Sequence, residues 1–165
     1  MTASDPFGVP GADWSRVSPR LTTLRRVLLV AAAVVVLTAV VAVGVLMPSV
    51  RLAAGAVGAA VVAVSAWGWW FTALSVAAWG WVERDQDLVV TRGRLWRRID
   101  VVPYGRMQLV DVTAGPLQRA FGIATVRLHT ASPSSRAHLP GLAPRDASRL
   151  REQLTERGES RAAGL

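Results

Sequence analysis

The chain has 165 residues, 52% of them hydrophobic, a formal net charge of +8 and no cysteine. Without cysteine there are no disulfides, thiol nucleophiles or thiolate metal sites. All 19 basic residues are arginine, and arginine flanking long apolar runs serves membrane topology, which argues against a nucleic-acid partner.

Residues 1–24 contain Pro6, Gly8, Pro10, Gly11 and Pro19 with little apolar periodicity, so they are expected to form a disordered cytoplasmic tail. No charged residue lies between Arg26 and Arg51, and none between Arg51 and Glu83. At about 1.5 Å per residue, Val27 to Met47 makes a helix about 31 Å long, matching a hydrocarbon core of about 30 Å. A buried core helix rarely stays apolar all round for this length, and a signal peptide is shorter and starts earlier. Leu52 to Val82 would be about 46 Å long as one helix, too long to stand upright. Trp67, Trp69, Trp70 and Phe71 cluster where that helix should reach the headgroups. The spans are therefore placed at about 27–47 and 52–72 within a two-span hairpin over residues 25–75. Gly55, Ala59 and Ala63, or Ala54 and Gly58, form either a close-packing face for the first span or a chance pattern in an alanine-rich segment.

Pro48 to Arg51 is too short a link for anything but an antiparallel hairpin. Four arginines precede the first span, five follow the second by Arg98, and only Arg51 lies between them. The positive-inside rule then places both termini on the cytoplasmic face of a multi-pass cell-membrane protein.

Residues 76–157 change character. Trp79 to Val82 leads into the polar turn Glu83–Asp87, Leu88 to Thr91 reads as a strand, and Arg92-Gly93-Arg94 as a tight turn. Leu95 to Val102 reads as a strand ending at Pro103, Met107 to Thr113 as another, and Pro116 to Phe121 as a short helix. Ile123 to Thr130 alternates cleanly, and His138 to Leu142 allows a further short strand. Pro144 starts a last helix with Ala147, Leu150 and Leu154 as its apolar stripe, and Gly158 is expected to stop it, leaving 158–165 as a flexible tail. The fold class is a membrane α-helical hairpin plus a mainly-β soluble domain, a small bent antiparallel sheet or partly open barrel with a C-terminal helix.

The stretches Pro103-Tyr104-Gly105-Arg106-Met107-Gln108-Leu109-Val110-Asp111 and Gly115-Pro116-Leu117-Gln118-Arg119-Ala120-Phe121-Gly122, followed by Leu139-Pro140-Gly141-Leu142, resemble motifs of the bacterial PH-like domain family (YdbS-like, bacterial PH domain type 2). The resemblance covers about residues 25–156. It implies a cytoplasmic PH-like domain in a two-span protein, with no catalytic residues and a role around envelope stress or maintenance. Many PH domains bind phosphoinositides through basic residues in the first hairpin loop. Here that loop, Glu83–Asp87, is net negative, so no phosphoinositide pocket is expected.

Arg92, Arg94, Arg97 and Arg98 surround one turn; they either attract anionic lipid or serve topology. Arg106, Gln108, Asp111 and Arg119 either contact a partner or, the preferred reading, order the loop before the short helix, and Pro103, Gly115, Pro116, Gly122, Pro140 and Gly141 are assigned to backbone geometry. Trp67, Trp69 and Trp70 are interfacial aromatics. His129 and His138 lack a third ligand for a metal. Ser132, Ser134 and Ser135 have no nucleophile elbow, and there is no Walker loop. The chain is thus read as no enzyme, with no cofactor. Besides the lipid bilayer, its partner is another membrane protein or a second copy, for which it serves as a membrane-anchored scaffold; the alternative is an anionic-lipid-binding module.

Overall fold

Ala, Leu and Val runs free of charge and proline propagate as helix, and the computed structural model, which describes residues 14–130 and 137–163, contains two such helices. Helix α1 covers Arg20–Leu46 and α2 covers Arg51–Ala77, joined by a 3-10 turn at Pro48–Val50. Both are long and apolar enough to cross a membrane, and no residue of their most apolar stretches is buried. The chain divides into two units, residues 22–74 and the residues on either side of them.

The first unit is the helical hairpin. Positions 54, 58, 61, 65 and 68 are its half-buried stripe on α2, at alternating spacings of four and three. Small residues there let the backbones approach. A methyl on Gly44 would come within 3.3 Å of Ala54, and one on Gly58 would touch Val40 and Leu37 at 3.8 and 3.9 Å. Of the two possible small-residue faces, Ala54/Gly58 is the one that packs; Gly55 has open space beside it, and Ala59 and Ala63 are exposed. Arg51 Nε donates to the Gly44 carbonyl at 3.3 Å, giving a partner to a carbonyl that the end of α1 leaves free.

The second unit comprises the segment up to Leu21 and everything from Ser75 onward. Its strands are β1 (Ser15–Arg16), β2 (Gly80–Glu83), β3 (Asp87–Arg92), β4 (Arg98–Pro103), β5 (Met107–Thr113), β6 (Ala124–Thr130) and β7 (Ala137–Leu142). Helix α3 (Pro116–Ala120) sits between β5 and β6, and α4 (Pro144–Ala163) follows β7. The strands form two antiparallel sheets, β1-β2-β3-β4 and β5-β6-β7, not closed into a barrel. Val89, Val90, Val102, Val126 and Leu139 fill the core, and Ala147, Leu150 and Leu154 of α4 are buried as their spacing predicts. Each leucine buried this way contributes about 1.5–3 kcal/mol.

Three expectations are corrected. Residues 14–24 are not a disordered tail: Ser15 and Arg16 pair with Trp81 and Gly80, Val17 and Leu21 are buried, and α1 starts at Arg20. The Ser18 N–H donates to the Gly141 carbonyl at 2.8 Å. That approach requires Gly141, because it has a φ of +73° and any side chain there would strike Leu21. The rest of the expected tail, residues 1–13, lies outside the described residues. Strand β4 starts at Arg98 rather than Leu95, since Gly93 (φ +91°) opens a wider turn. Helix α4 does not stop at Gly158. That residue passes close to the Tyr104 backbone, and the helix around it is anchored by Arg157.

Arg157 Nη1 donates to the Tyr104 hydroxyl at 3.0 Å and to the Arg84 carbonyl at 3.2 Å, lies over the Tyr104 ring, and faces Glu83 at 3.9 Å. Arg149 approaches the other Glu83 oxygen at 3.8 Å. Glu83 thus holds two turns of α4 against the first sheet.

Two outcomes follow. Gly58→Leu should force the helices apart and lower the midpoint of thermal unfolding in detergent, at a cost of about 1–3 kcal/mol, whereas Gly55→Leu should be near neutral. Burial pushes the Tyr104 phenol above its ordinary value, with Arg157 partly opposing it. The fold therefore favours the neutral phenol. Its contribution is complete below pH about 10, where the unfolded phenol titrates, and declines as pH rises past that point. Denaturant titrations at pH about 8 and about 10.5 should show the wild type losing more stability than Tyr104→Phe.

Candidate functional site

Register fixes which residues meet at one end of the first sheet. Gly80 pairs with Thr91 and Thr91 with Ile99, so the β3–β4 loop lies beside the start of β2, three residues beyond the last helical residue, Ala77. β1 adds Arg16 at the same end through its pairing with Gly80. A cleft of about 390 Å³ opens there, lined among the described residues by Trp14, Arg16, Trp79, Arg94 and Arg97 together with small residues. Its floor depends on Gly80, where a methyl would come within 3.2 Å of the Trp14 ring. The Trp79 ring meets His138 edge-on at a centroid distance of 5.1 Å.

The four arginines singled out from sequence separate into two kinds. Arg92 faces Asp100 across the β3–β4 pair, with Nη2 at 3.0 Å from Oδ2, and both side chains are mostly covered. The contact misses hydrogen-bond alignment, so it is an ion pair without a linear hydrogen bond. Arg94, Arg97 and Arg98 are exposed. Between them stand Leu95 and Trp96, 71% and 85% exposed in a domain whose other large apolar side chains are mostly buried. Sequence reasoning assigned this pair to a strand, and so missed it. The glycine between two arginines was the available signal.

The family-motif residues are scattered by comparison. Arg106, Gln108 and Arg119 are exposed, and Asp111 is opposite Arg127 on β6. The bonds described around the loop before α3 come from Gln118 instead. Its Oε1 accepts the Gly115 N–H at 3.1 Å, half of a capping box, and its Nε2 donates to Thr125 Oγ1 at 3.1 Å. Pro116 occupies the first turn of α3, Pro103 ends β4, and Gly122 adopts a φ of +61°. In the helical unit, Trp67, Trp69 and Trp70 are exposed, and Arg26 lies 4.5 Å from the Trp69 ring centroid.

The acidic first hairpin is accounted for by packing. Glu83 holds α4, and Arg84 and Asp87 approach each other at 3.9 Å. Among the described residues no cluster of His, Asp and Glu could hold a metal ion. A second depression of about 510 Å³ is bordered by Arg127, His129 and His138. Ser132, Ser134 and Ser135 lie outside the described residues.

No curated protein and no solved structure matches the chain. The sequence profile described as "Bacterial PH domain" matches residues 19–158, a range that begins before the first apolar helix and ends within α4. By that match, over most of its length, the chain belongs to the bacterial PH domain family.

Proposed function

We propose that the protein is a membrane-anchored interaction module, which holds its PH-like domain on the cytoplasmic face for binding another membrane protein or a second copy of itself. Two unburied apolar helices support the anchoring, because so much exposed valine, leucine and tryptophan is costly in water. The pairing of β1, before α1, with β2, after α2, supports a hairpin whose two ends are on one side of the bilayer. The arginine excess flanking the hairpin supports the cytoplasmic side for those ends.

One observation carries the interaction reading. Strand β5 pairs only with β6 among the described strands, and along it Leu109 is 59% exposed although the neighbouring core is closed. An edge strand with free backbone groups and an apolar side chain is a surface for adding a strand or a packed partner. Leu117 on α3, also exposed, is a second contact point in the same connected stretch of chain.

A photo-crosslinking residue placed at Leu109, and separately at Leu117, tests this in native membranes. The expected outcome is a discrete adduct at Leu109, at twice the chain mass for self-assembly or at another defined mass for a membrane partner. Leu109→Arg should abolish co-purification of that partner with little change in thermal stability. Smeared or absent adducts at both positions would overturn the reading.

A further inference from the structure

Strand β5 is a free edge, since among the described strands it pairs only with β6. Its inward side is incompletely covered as well. Val126 and Leu128 of β6 are buried, yet Val112 and Val110 opposite them are only half-buried. Helix α4 leaves them room: a groove of about 260 Å³ lies between Met107–Val110 of β5 and Leu154, Thr155 and Gly158 of α4. A further strand can therefore approach this edge without displacing the helix.

The charges along the edge are arranged symmetrically about Leu109. Register runs from Met107 opposite Thr130 to Leu109 opposite His129, so Gln108 is one extra residue in β5. Counted in paired positions, Arg106 stands two places from Leu109 on one side and Asp111 two places on the other. Alternate positions of a strand share a face, so the three residues line one face of the edge. Arg106 is exposed and Asp111 half-buried. Neither forms an ion pair among the described residues, although Arg127 stands opposite Asp111 on β6. An order of positive, apolar and negative at equal spacing is complementary to itself when a second such strand runs antiparallel.

We propose that β5 pairs with β5 of a second copy, antiparallel and centred on Leu109, so that the two three-stranded sheets become one continuous sheet. In that register the two Leu109 side chains meet, and each Arg106 lies opposite the other copy's Asp111. The leucine contact removes the most exposed apolar side chain of the strand from water. The two charge pairs fix the register, and the outward backbone groups of β5 gain ladder partners. Such a contact uses the same patch on both copies, so it closes as a dimer and leaves no edge at β5 for further growth. Self-pairing presupposes that β5 is the interaction edge; it makes a second copy, and no other membrane protein, the occupant.

The chain has no cysteine, so single cysteines can be placed in the full-length protein at Leu109, at Asp111 and, as a collision control, at exposed Ser148 on α4. Each variant is reconstituted in phospholipid vesicles at low protein density, oxidised mildly and separated without reducing agent. Opposed residues of an antiparallel pair have Cα atoms about 4.5–5.5 Å apart, within disulfide range, whereas two Asp111 residues in this register are about 14 Å apart. Leu109→Cys should therefore give a disulfide-linked dimer, and Asp111→Cys and Ser148→Cys only monomer. Energy transfer between copies labelled at Ser148→Cys reads the association constant in detergent. Arg106→Asp or Asp111→Arg alone should lower it about tenfold, and the double exchange should restore it. A merely structural role for either residue predicts no such rescue. A Leu109→Cys protein that stays monomeric would overturn self-pairing. If the photo-crosslinker at Leu109 then still gives an adduct of another defined mass, the interaction edge stands with a different occupant; if it gives none, both fall. Equal dimer from Asp111→Cys, or no rescue by the double exchange, would overturn the register.

Discussion

The Ser18 to Gly141 backbone hydrogen bond, with Leu21 packed over a glycine that tolerates no side chain, is the constraint from which the rest of the domain follows. It fixes the segment before α1 to β7. The β1–β2 pairing fixes the same segment to the other sheet. A few residues thus touch both sheets and supply, with Val17 and Leu21, core side chains that the later residues lack. A small open pair of sheets is marginal by itself. Here it is closed on one side by this N-terminal strap and on another by α4. In sequence terms the apolar hairpin is an insertion within the domain, not an anchor placed before it.

The electrostatics divide along the sheet in the same way. At the β2–β3 turn the acids have structural work, because Glu83 meets Arg149 and Arg157 while Arg157 also caps Tyr104. Partly exposed pairs of this length contribute little singly. Their effect comes from convergence on one carboxylate and one buried phenol. At the other end, Asp100 takes up Arg92, and the remaining arginines of the β3–β4 loop extend outward. A domain of one net sign therefore presents two ends of different character.

Much of this was legible in sequence because its signals are local. The two charge-free runs predict both helices, period-two alternation marks β6, and the spacing of Ala147, Leu150 and Leu154 marks α4. What escaped detection depends on distant partners. The strap at Ser15–Leu21 has two buried apolar residues and a proline, no periodicity, and gains its order only from β2 and β7. Gly158 looked like a helix stop because glycine breaks helices in isolation. Its neighbour Arg157 outweighs that preference through Tyr104 and Glu83. Arg92 was grouped with its neighbours since its counter-ion, Asp100, stands on the next strand. The exposed Leu95–Trp96 pair was hidden in an apolar run, and only the positive φ of Gly93 separates it from β4.

The strap also dictates an order of assembly. Ser15 to Leu21 leave the ribosome before both apolar helices, yet Gly141, on which they pack, is made after them. Until then Val17 and Leu21 lack the surface that buries them. The domain cannot fold in strict chain order; its closing step joins a segment made before the two helices to one made after them, a long-range contact of the kind that slows folding.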